Sequence, residues 1–350
     1  MLDNQFATTS ALGNFATLPR TPLVTGVTPI EAMPNLTKTI GKGQLFVKRD
    51  DAMGFAFGGN KVRQLEFYLG EALAQGADTL LITGAVQSNF VRLAAASANK
   101  LGLECHIQLE ERVAKNDSDY RQSGNVFLDQ LLGATIHTYP EGEDESGADA
   151  ELEAIAERLK TKGRKPYVIH LAPGHPALGA LGYVIAAQEI VNQMTQYDLR
   201  FDKIVIASGS GHTHGGLVYG LRALGCDIPV HGICVRRSAE QQRPRIRNRF
   251  NEISDLLGEK THLATDQDIL VEDEFLTPGY GQFNQTTTDA ILLGARKESL
   301  MLDPTYSGKS MAGFLHHARQ SHPKQSLLFW HTGGTPGLFA YRGALVQSLI

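Results

Sequence analysis

The sequence predicts an α/β fold of two domains, each built on a parallel, twisted sheet flanked by helices. Short apolar, β-rich runs alternate with longer amphipathic stretches, an order typical of parallel sheets that carry helices on both faces. The chain has 350 residues, which is enough for about two domains. Its 36 glycines suit many tight turns between strands and helices.

The alternation gives seven predicted strands and four predicted helices. The strands cover residues 79–83, 104–109, 135–139, 167–171, 203–207, 230–235 and 327–331. The helices cover residues 62–74, 89–101, 120–132 and 177–196. Breaker residues at 58–60 and 172–176 mark the predicted domain boundaries. We therefore expect a small α/β domain over residues 62–174 and a large domain that combines residues 1–61 with 175–350.

Composition argues against several classes of protein. The net charge of −4 provides no basic surface for nucleic acid or an anionic membrane. The N-terminus lacks the basic and apolar regions of a signal peptide, and no apolar run reaches the roughly 18–20 residues of a membrane span. Cys105, Cys226 and Cys234 are too scattered for a disulfide framework or a metal site, so we expect three buried thiols. We expect a cytoplasmic protein.

The most informative segment contains Lys48-Arg49-Asp50-Asp51 and, shortly after it, Gly58-Gly59-Asn60-Lys61-Val62-Arg63. Lys61 follows a Gly-Gly turn at the start of a predicted helix, where the helix dipole and open N–H groups favour a neutral amine. A neutral amine is the form that condenses with an aldehyde. The alternative is an ordinary solvated lysine beside glycines.

A second segment, Gln87-Ser88-Asn89, follows the predicted strand 79–83. Ligands of open α/β sheets bind at the carboxyl ends of the strands, so these side chains are candidates for ligand binding. Ser88 or Asn89 could instead cap the following helix, and the two roles are compatible.

A third segment is the glycine-rich loop Ser208–Gly216 after the strand 203–207. Backbone N–H groups of such a loop can converge on a phosphate, with serine and threonine hydroxyls as further donors. The spacing fits neither a dinucleotide fingerprint nor a nucleoside-triphosphate loop. His212 and His214 lack a nearby carboxylate, so we expect no metal.

Three C-terminal loops place a hydroxyl-bearing side chain beside glycine. They are Pro278-Gly279-Tyr280-Gly281, Asp303-Pro304-Thr305-Tyr306-Ser307-Gly308-Lys309 and His331-Thr332-Gly333-Gly334. Each is ordinary turn chemistry when taken alone. Together with the glycine-rich loop they could open at one edge of a sheet.

These motifs together resemble a known family. KRDD, GGNKVR, GAVQSNFVR, SGSGHTHGG, GYG, DPTYSGK and HTGG occur in the order found in fold type II (tryptophan-synthase-β-like) pyridoxal-phosphate enzymes. Within that fold type the chain is similar to the ACC deaminase / D-cysteine desulfhydrase family, which also contains L-cysteate sulfo-lyase. The resemblance runs from about residue 18 to about residue 342. It implies a pyridoxal 5′-phosphate cofactor, a small amino-acid substrate and a homodimer.

The resemblance implies a role for each matching residue. Lys61 matches the lysine that forms a Schiff base with the cofactor and moves the Cα proton. Ser88 matches the serine that holds the substrate carboxylate or assists catalysis, and Tyr280 and Tyr306 match the tyrosines that face the substrate. The expected cofactor-binding residues are Asn60, Asn89 at the phenolic oxygen, the phosphate loop Gly209, Ser210, Gly211, His212 and Thr213, and the ring-nitrogen hydroxyls Ser307 and Thr332. The expected substrate-binding residues are Gln87, Ser88, Asn89 and Phe90.

One departure from the family pattern bears on the reaction. ACC deaminase-like sequences carry Glu at the position of Ser307, where a carboxylate would keep the pyridine nitrogen protonated. A hydroxyl leaves a milder electron sink, adequate for β-elimination of a good leaving group. The expected activity is therefore that of a carbon–sulfur lyase of the D-cysteine desulfhydrase type, giving pyruvate, sulfide and ammonia. L-Cysteate sulfo-lysis and ACC deamination are the alternatives within this family.

Two further departures keep other classes open. Phe90 stands where the family usually has His or Gln, and His212 stands where the phosphate loop usually has glycine. A binding protein with little catalysis, or a histidine-based metalloenzyme, would be compatible with these changes.

Overall fold

The computed structural model describes residues 15–172, 174–258 and 263–347. The chain divides into two units. The large unit contains residues 24–64 and 176–334, together with the short segment 15–18. The small unit contains residues 65–175, the segment 19–23 and the residues after 334. The prediction from the sequence instead places the residues after 334 in the large domain.

The described residues form ten strands and thirteen α-helices. The strands are β1 (Ile30–Ala32), β2 (Gln44–Arg49), β3 (Thr79–Ala85), β4 (Glu104–Glu110), β5 (Thr135–Tyr139), β6 (Pro166–Ile169), β7 (Lys203–Ser208), β8 (Val230–Cys234), β9 (Leu270–Glu272) and β10 (Ser326–His331). The helices are α1 (Pro34–Ile40), α2 (Asn60–Ala74), α3 (Asn89–Leu101), α4 (Ser118–Gln122), α5 (Gly124–Leu131), α6 (Glu145–Lys160), α7 (Leu178–Gln196), α8 (His212–Ala223), α9 (Ala239–Leu257), α10 (Gln285–Glu298), α11 (Ser307–Gln320), α12 (Thr335–Ala340) and α13 (Arg342–Val346).

The large unit is built on a six-stranded sheet in the order β1-β2-β10-β7-β8-β9. All neighbours are parallel except β1, which pairs antiparallel with β2. The carboxyl ends of β2, β10 and β7 therefore lie side by side at one edge. The loops that follow these strands begin there, as ligand-binding loops of open parallel sheets do.

The small unit is built on a four-stranded parallel sheet in the order β5-β4-β3-β6. Every residue of β3 is buried, as expected for a central strand covered on both faces. Ser88 caps helix α3 at its start, and Gly102 ends it in the left-handed region with φ of 71°. Helix α12 packs on α4 and α5, which is why the C-terminal end belongs to this unit.

The predicted fold class is confirmed, with differences in individual elements. The predicted helix 120–132 is two helices, α4 and α5, because the chain breaks at Gly124 with φ of 60°. The predicted strand 167–171 ends at Ile169. Strands β1, β2 and β9 were not predicted from the sequence. Two of them have only three residues, and β2 ends in charged residues that the apolar pattern does not include.

The cysteines and helices bear on the composition arguments. Cys105 and Cys234 are buried free thiols as expected, whereas Cys226 is only half-buried. Among the residues that the structure describes, no helix combines the length and apolar character that crossing a bilayer requires.

A buried ion-pair network joins the elements around the start of α2. The Arg63 guanidinium donates to Glu189 Oε2 at 2.8 Å and to Asp50 Oδ1 at 3.0 Å. Lys48 lies at the same carboxylate of Glu189, with Nζ 2.5 Å from Oε1. Burial alone would raise the pKa of Glu189, but the charges of Arg63 and Lys48 hold it at about 2. Glu189 thus remains ionised at neutral pH.

Asp50 is also the acceptor for two aromatic side chains. The Tyr183 hydroxyl donates to Asp50 Oδ2 at 2.6 Å, and the Trp330 indole N–H donates to the same oxygen at 2.8 Å. Helix α7, strand β10 and the end of β2 therefore meet at one carboxylate. Asp50 has no exposed surface, so these partners take the place of water around its oxygens.

We expect Arg63→Met to destabilise the large unit strongly. The substitution keeps an apolar stem of similar length but leaves Asp50 and Glu189 without their shared cation, a change that costs about 3–5 kcal/mol for a buried pair. The measurement is the free energy of unfolding in urea, followed by the fluorescence of Trp330, the only tryptophan.

Arg247→Met is the matched control. Arg247 also pairs with an aspartate, Asp266, but both side chains are exposed, so its loss should leave the unfolding curve unchanged. Equal effects of the two substitutions would mean that the buried network does not stabilise the unit.

Candidate active site

Lys61 lies in the first turn of α2, in the large unit. Its Nζ donates to Gln64 Oε1 at 3.0 Å. Burial away from water disfavours the ammonium form and lowers the pKa of Lys61 to about 7. The sequence predicted a neutral amine from the helix start, whereas the structure attributes the lowered pKa to burial. At neutral pH a large fraction of this amine is unprotonated and able to attack an aldehyde.

Thr213 connects the lysine turn to the glycine-rich loop. Its Oγ1 accepts hydrogen bonds from Asn60 Nδ2 and from Gln64 Nε2, each at 2.8 Å. Since both lone pairs of the oxygen are used, the hydroxyl proton of Thr213 is left to donate elsewhere. Gln64 thus contacts both Lys61 and the loop, and it fixes the distance between them.

His212 sets the direction of the Ser210 hydroxyl. Arg249 Nη1 lies 3.0 Å from His212 Nε2 and can only donate, so Nε2 is the unprotonated nitrogen. Nδ1 then carries the proton and donates to Ser210 Oγ at 3.1 Å. Burial and then the Arg249 charge lower the pKa of His212 well below its usual value, which keeps the ring neutral. Ser210, like Thr213, therefore keeps a hydroxyl proton to donate.

The backbone of the loop fits an anion. Gly211 precedes helix α8 with φ of 91°, a conformation that suits glycine, whereas His212 is already the first helical residue. His212 in place of the usual glycine therefore causes no backbone strain. The first N–H groups of α8 have no acceptor within the helix, and they open at the loop that holds the Ser210 and Thr213 hydroxyls. This donor set fits the phosphate of pyridoxal phosphate.

The Thr332-Gly333-Gly334 segment contacts the turn before Lys61. Asn60 N donates to Thr332 O at 3.0 Å. A Cβ on Gly59 would lie 2.9 Å from Thr332 O, and a Cβ on Gly333 would lie 2.7 Å from Gly59 Cα. Only glycines allow the two backbones to approach so closely, which explains why both motifs carry them.

Ser307 bonds to Asp303, which begins the motif Asp303–Lys309 but has no role assigned from the sequence. The Ser307 hydroxyl donates to Asp303 Oδ1 at 2.6 Å and accepts from Asp303 N at 2.8 Å. The same carboxylate accepts the N–H groups at the start of α11, so it caps this helix. The proton of Ser307 is committed to Asp303, and the oxygen can offer a ring nitrogen only a lone pair.

Tyr280 and Tyr306 form a pair. Their hydroxyl oxygens are 2.5 Å apart, so one phenol donates to the other. Lys309 fixes the loop that precedes Tyr280, because its Nζ donates to Leu276 O at 2.7 Å and to Gly279 O at 2.5 Å.

The remaining predicted residues belong to the small unit. Ser88 Oγ accepts Val91 N at 3.3 Å, which confirms the capping role and leaves the hydroxyl proton available. Asn89 Oδ1 accepts from Asn125 at 3.0 Å. Gln87 differs, because its amide binds Tyr120 O at 2.7 Å and Asn125 N at 2.9 Å and so holds the segment that contains α4 and α5.

Phe90 is buried, with 4% of its surface exposed, and its ring lies 6.2 Å from that of Tyr68. This packing accounts for a large apolar residue at a position where the family resemblance leads us to expect His or Gln. A contact between Phe90 and a substrate stays a prediction.

Within the large unit, contacts join segments that the sequence named separately. The turn at Lys61 bonds to Thr213 and to Thr332, and Tyr280 bonds to Tyr306. A Cβ on Gly334 would collide with the carboxylate of Asp303, which caps the helix that begins at Ser307.

The sequence reading assigned no role to Gln64, Asp303 or Arg249. Gln64 could have been found, since position i+3 from Lys61 lies on the same helix face. Arg249 is 37 residues from His212 and has no local signal.

We expect Thr213→Val to weaken the binding of pyridoxal phosphate to the cofactor-free protein. Valine keeps the shape but removes a donor to a charged group, a loss of about 1.5–3 kcal/mol, or roughly 10- to 150-fold in dissociation constant. Thr195→Val, at an exposed position of α7, is the matched control and should bind normally. Equal dissociation constants for the two variants would contradict a phosphate-binding role of Thr213.

Relatives and solved structures identify the family of this chain. The chain is 40% identical over 332 residues to proteins named D-cysteine desulfhydrase from Salmonella choleraesuis (strain SC-B67) and from Salmonella typhi. The match covers 94% of this chain and 98% of each relative. The crystal structure of an ACC deaminase homologue superposes with a TM-score of 0.84 at 37% identity, covering 96% of this chain and 98% of that one.

A more distant structure shows the same fold. A fungal L-serine ammonia-lyase from Rhizomucor miehei has a TM-score of 0.62 at 19% identity, and the alignment covers 93% of this chain and 99% of that one. The model of the family described as "Pyridoxal-phosphate dependent enzyme" matches residues 22–333. The lysine, the phosphate-type loop and these matches place the chain in one family: it belongs to the pyridoxal-phosphate-dependent enzymes.

Proposed function

We propose that this protein is a lyase that converts D-cysteine and water to pyruvate, sulfide and ammonia. The observation that carries the proposal is the Lys61 amine, with a pKa of about 7, joined through Gln64 to the glycine-rich loop. The choice of D-cysteine is supported by the relatives of 40% identity, which are named D-cysteine desulfhydrase.

Lys61 serves first as the attachment point and then as the base. Bound pyridoxal phosphate supplies an aldehyde for this amine and a ring that delocalises negative charge from the substrate Cα. With the substrate bound, the free Lys61 amine would take the Cα proton. A pKa near the working pH lets the same group accept this proton and release it later.

The ring nitrogen of the cofactor would take its hydrogen bond from Thr332 and not from Ser307. Ser307 donates its hydroxyl proton to Asp303 in a hydrogen bond and has none to offer an unprotonated nitrogen. We therefore assign donation to the nitrogen to the Thr332 hydroxyl. A neutral hydroxyl partner leaves the ring a mild electron sink, which suits the departure of a thiol better than the opening of a cyclopropane ring.

The tyrosine pair would assist the leaving group. The sulfur departs with a developing negative charge, and a proton from a phenol neutralises it. The phenol that gives its proton to the sulfur is easier to ionise when the other phenol donates a hydrogen bond to its oxygen. The Tyr280 and Tyr306 oxygens, 2.5 Å apart, are close enough for this bond.

In the small unit, we assign Ser88 to the substrate carboxylate and Asn89 to the phenolic oxygen of the cofactor. Ser88 lies at the start of α3, where the helix dipole favours an anion, and its hydroxyl proton is not used by Val91. Gln87 positions this turn instead of binding substrate. Assembly as a homodimer and a cytoplasmic location are further proposals, based on the sequence resemblance and composition.

The cofactor-loaded enzyme is expected to release pyruvate and sulfide from D-cysteine. The test incubates it separately with D-cysteine, L-cysteine, L-cysteate and ACC, and identifies the keto acid and the anion by mass spectrometry. Lys61→Ala should be inactive because it lacks both the attachment point and the base. Lys297→Ala, at an exposed lysine of α10, is the matched control and should keep full activity.

The other outcomes identify the alternatives. Pyruvate with sulfite from L-cysteate would replace the proposal with a sulfo-lyase, and 2-oxobutyrate from ACC would replace it with a deaminase. A cofactor-loaded protein that yields no keto acid from any of the four would be a binding protein.

The rate at which the cofactor attaches to Lys61 should depend on pH in a particular way. The folded-state pKa is lowered to about 7, so the neutral fraction rises from about pH 6 to about pH 8 and then levels off. The measurement mixes cofactor-free protein with pyridoxal phosphate and follows the absorbance of the attached cofactor. A rate that keeps rising beyond about pH 9 would mean that Lys61 is an ordinary lysine. Lys61→Arg should show no attachment at any pH.

A further inference from the structure

The small unit carries a cluster of two histidines and two carboxylates outside the residues discussed above. Asp149 and Glu153 lie one turn apart on α6, so they face the same side of the helix. His170 follows the last residue of β6, and His175 lies five residues further along the chain. All four are at least partly exposed, and the cluster is accessible from solvent.

The spacing of three of these groups is that of metal ligands. Asp149 Oδ2 lies 3.5 Å from His170 Nδ1 and 3.4 Å from His175 Nε2. The three ligand atoms lie within 4.8 Å of one another. Bonds of about 2.0–2.1 Å around a tetrahedral ion separate neighbouring ligand atoms by roughly 3.3–3.5 Å. Hydrogen-bonded nitrogen and oxygen atoms approach more closely, to about 2.7–3.2 Å.

The hydrogen bond of His170 also indicates a site for a cation. Its Nε2 lies 2.9 Å from Glu153 Oε1, so this nitrogen carries a proton and donates it. In the neutral ring, Nδ1 is then a lone pair. This Nδ1 atom is buried and has no hydrogen-bond partner among the described residues, yet it faces the Asp149 carboxylate. A lone pair facing an anionic oxygen is unfavourable, so a cation, either a metal ion or a proton on Nδ1, is needed between them.

We propose that Asp149, His170 and His175 bind one divalent transition-metal ion of the zinc type, with Glu153 as the positioning residue for His170. Two imidazoles and one carboxylate are a donor set that suits zinc better than magnesium or calcium. A carboxylate that accepts the second N–H of a ligating histidine is the usual support in such sites. The ion leaves one position for water.

One movement accompanies binding. The His170 and His175 rings are stacked, with centroids 3.7 Å apart and planes inclined by 5°. An imidazole binds a metal along its ring plane, so one ring must tilt. His175 has 39% of its side chain exposed and has the space to do so.

A second cluster in the large unit provides a contrast. His231, Glu272 and His317 are the same residue types, but their atoms are at hydrogen-bond distances of 2.5 and 3.0 Å. Lys203 Nζ lies 2.8 Å from the other nitrogen of His317. In this cluster the ring nitrogens and the carboxylate already have hydrogen-bond partners. The nearby ammonium of Lys203 would also repel a metal ion.

The test is zinc binding to the untagged, cofactor-loaded, full-length enzyme after removal of metals by a chelator. Isothermal titration and elemental analysis after dialysis should give one zinc ion per chain. His170→Ala and His175→Ala should abolish this binding, and Glu153→Gln should weaken it by about 10- to 100-fold. His231→Gln, in the contrasting cluster, is the matched control and should bind zinc normally.

Circular dichroism checks the folding of each variant, and Asp149→Asn replaces either alanine variant that fails to fold. The proposal is overturned if the unaltered enzyme binds no zinc, or if binding persists when both His170 and His175 are alanine. A proton is the competing occupant. An NMR titration in which His170 takes up a proton with no response to zinc would identify the cluster as a proton site and would also overturn the proposal.

Discussion

The buried guanidinium of Arg63 is the interaction on which the rest of the large unit depends. It lies between Asp50 and Glu189, two acids that come from distant parts of the chain and have little access to water. Two buried carboxylates repel each other and cost free energy to desolvate, so the arrangement requires a cation with a planar fork of donors. Because Arg63 follows Lys61 by two residues on α2, the ion pairs that hold the unit together also fix the helix that carries the reactive amine.

The protein's own hydrogen bonds determine which hydroxyl groups can donate to a ligand. Ser88, Ser210 and Thr213 each accept from protein donors and therefore keep a proton to offer an anion. Ser307 does the opposite, because its proton goes to Asp303. The four hydroxyls are chemically alike, but their neighbours divide them into donors and an acceptor before any ligand arrives. Such preorganisation reduces the rearrangement that binding requires.

Local signals predicted the fold class and the loops of the site. Apolar strands followed by glycine and polar residues identify the carboxyl edge of a parallel sheet, and the family motifs identify Lys61 and the phosphate-type loop. The partners that set their properties could not be predicted in the same way. Glu189 is 126 residues from Arg63, and no periodicity links them.

The histidines give a second example of this limit. In the sequence, His212 and His214 lie two residues apart and have no carboxylate near them. His212 instead bonds to Ser210 and Arg249, whereas His170 and His175 meet acids from α6, a helix that precedes them in the chain. Sequence proximity is a poor guide where the sheet brings a loop and a helix together.

Thr213 has a consequence for how the enzyme distinguishes forms of its cofactor. Its oxygen accepts from Gln64, whose other amide atom accepts from Lys61. An anion in the loop and a proton on the lysine are therefore linked through one side chain, and thermodynamic linkage makes their effects on each other reciprocal. An aldehyde without a phosphate loses the contacts of the loop, including the hydroxyl donor of Thr213. Thr213 should therefore favour the phosphorylated cofactor over the unphosphorylated vitamin, because only a phosphate uses the donors of the loop.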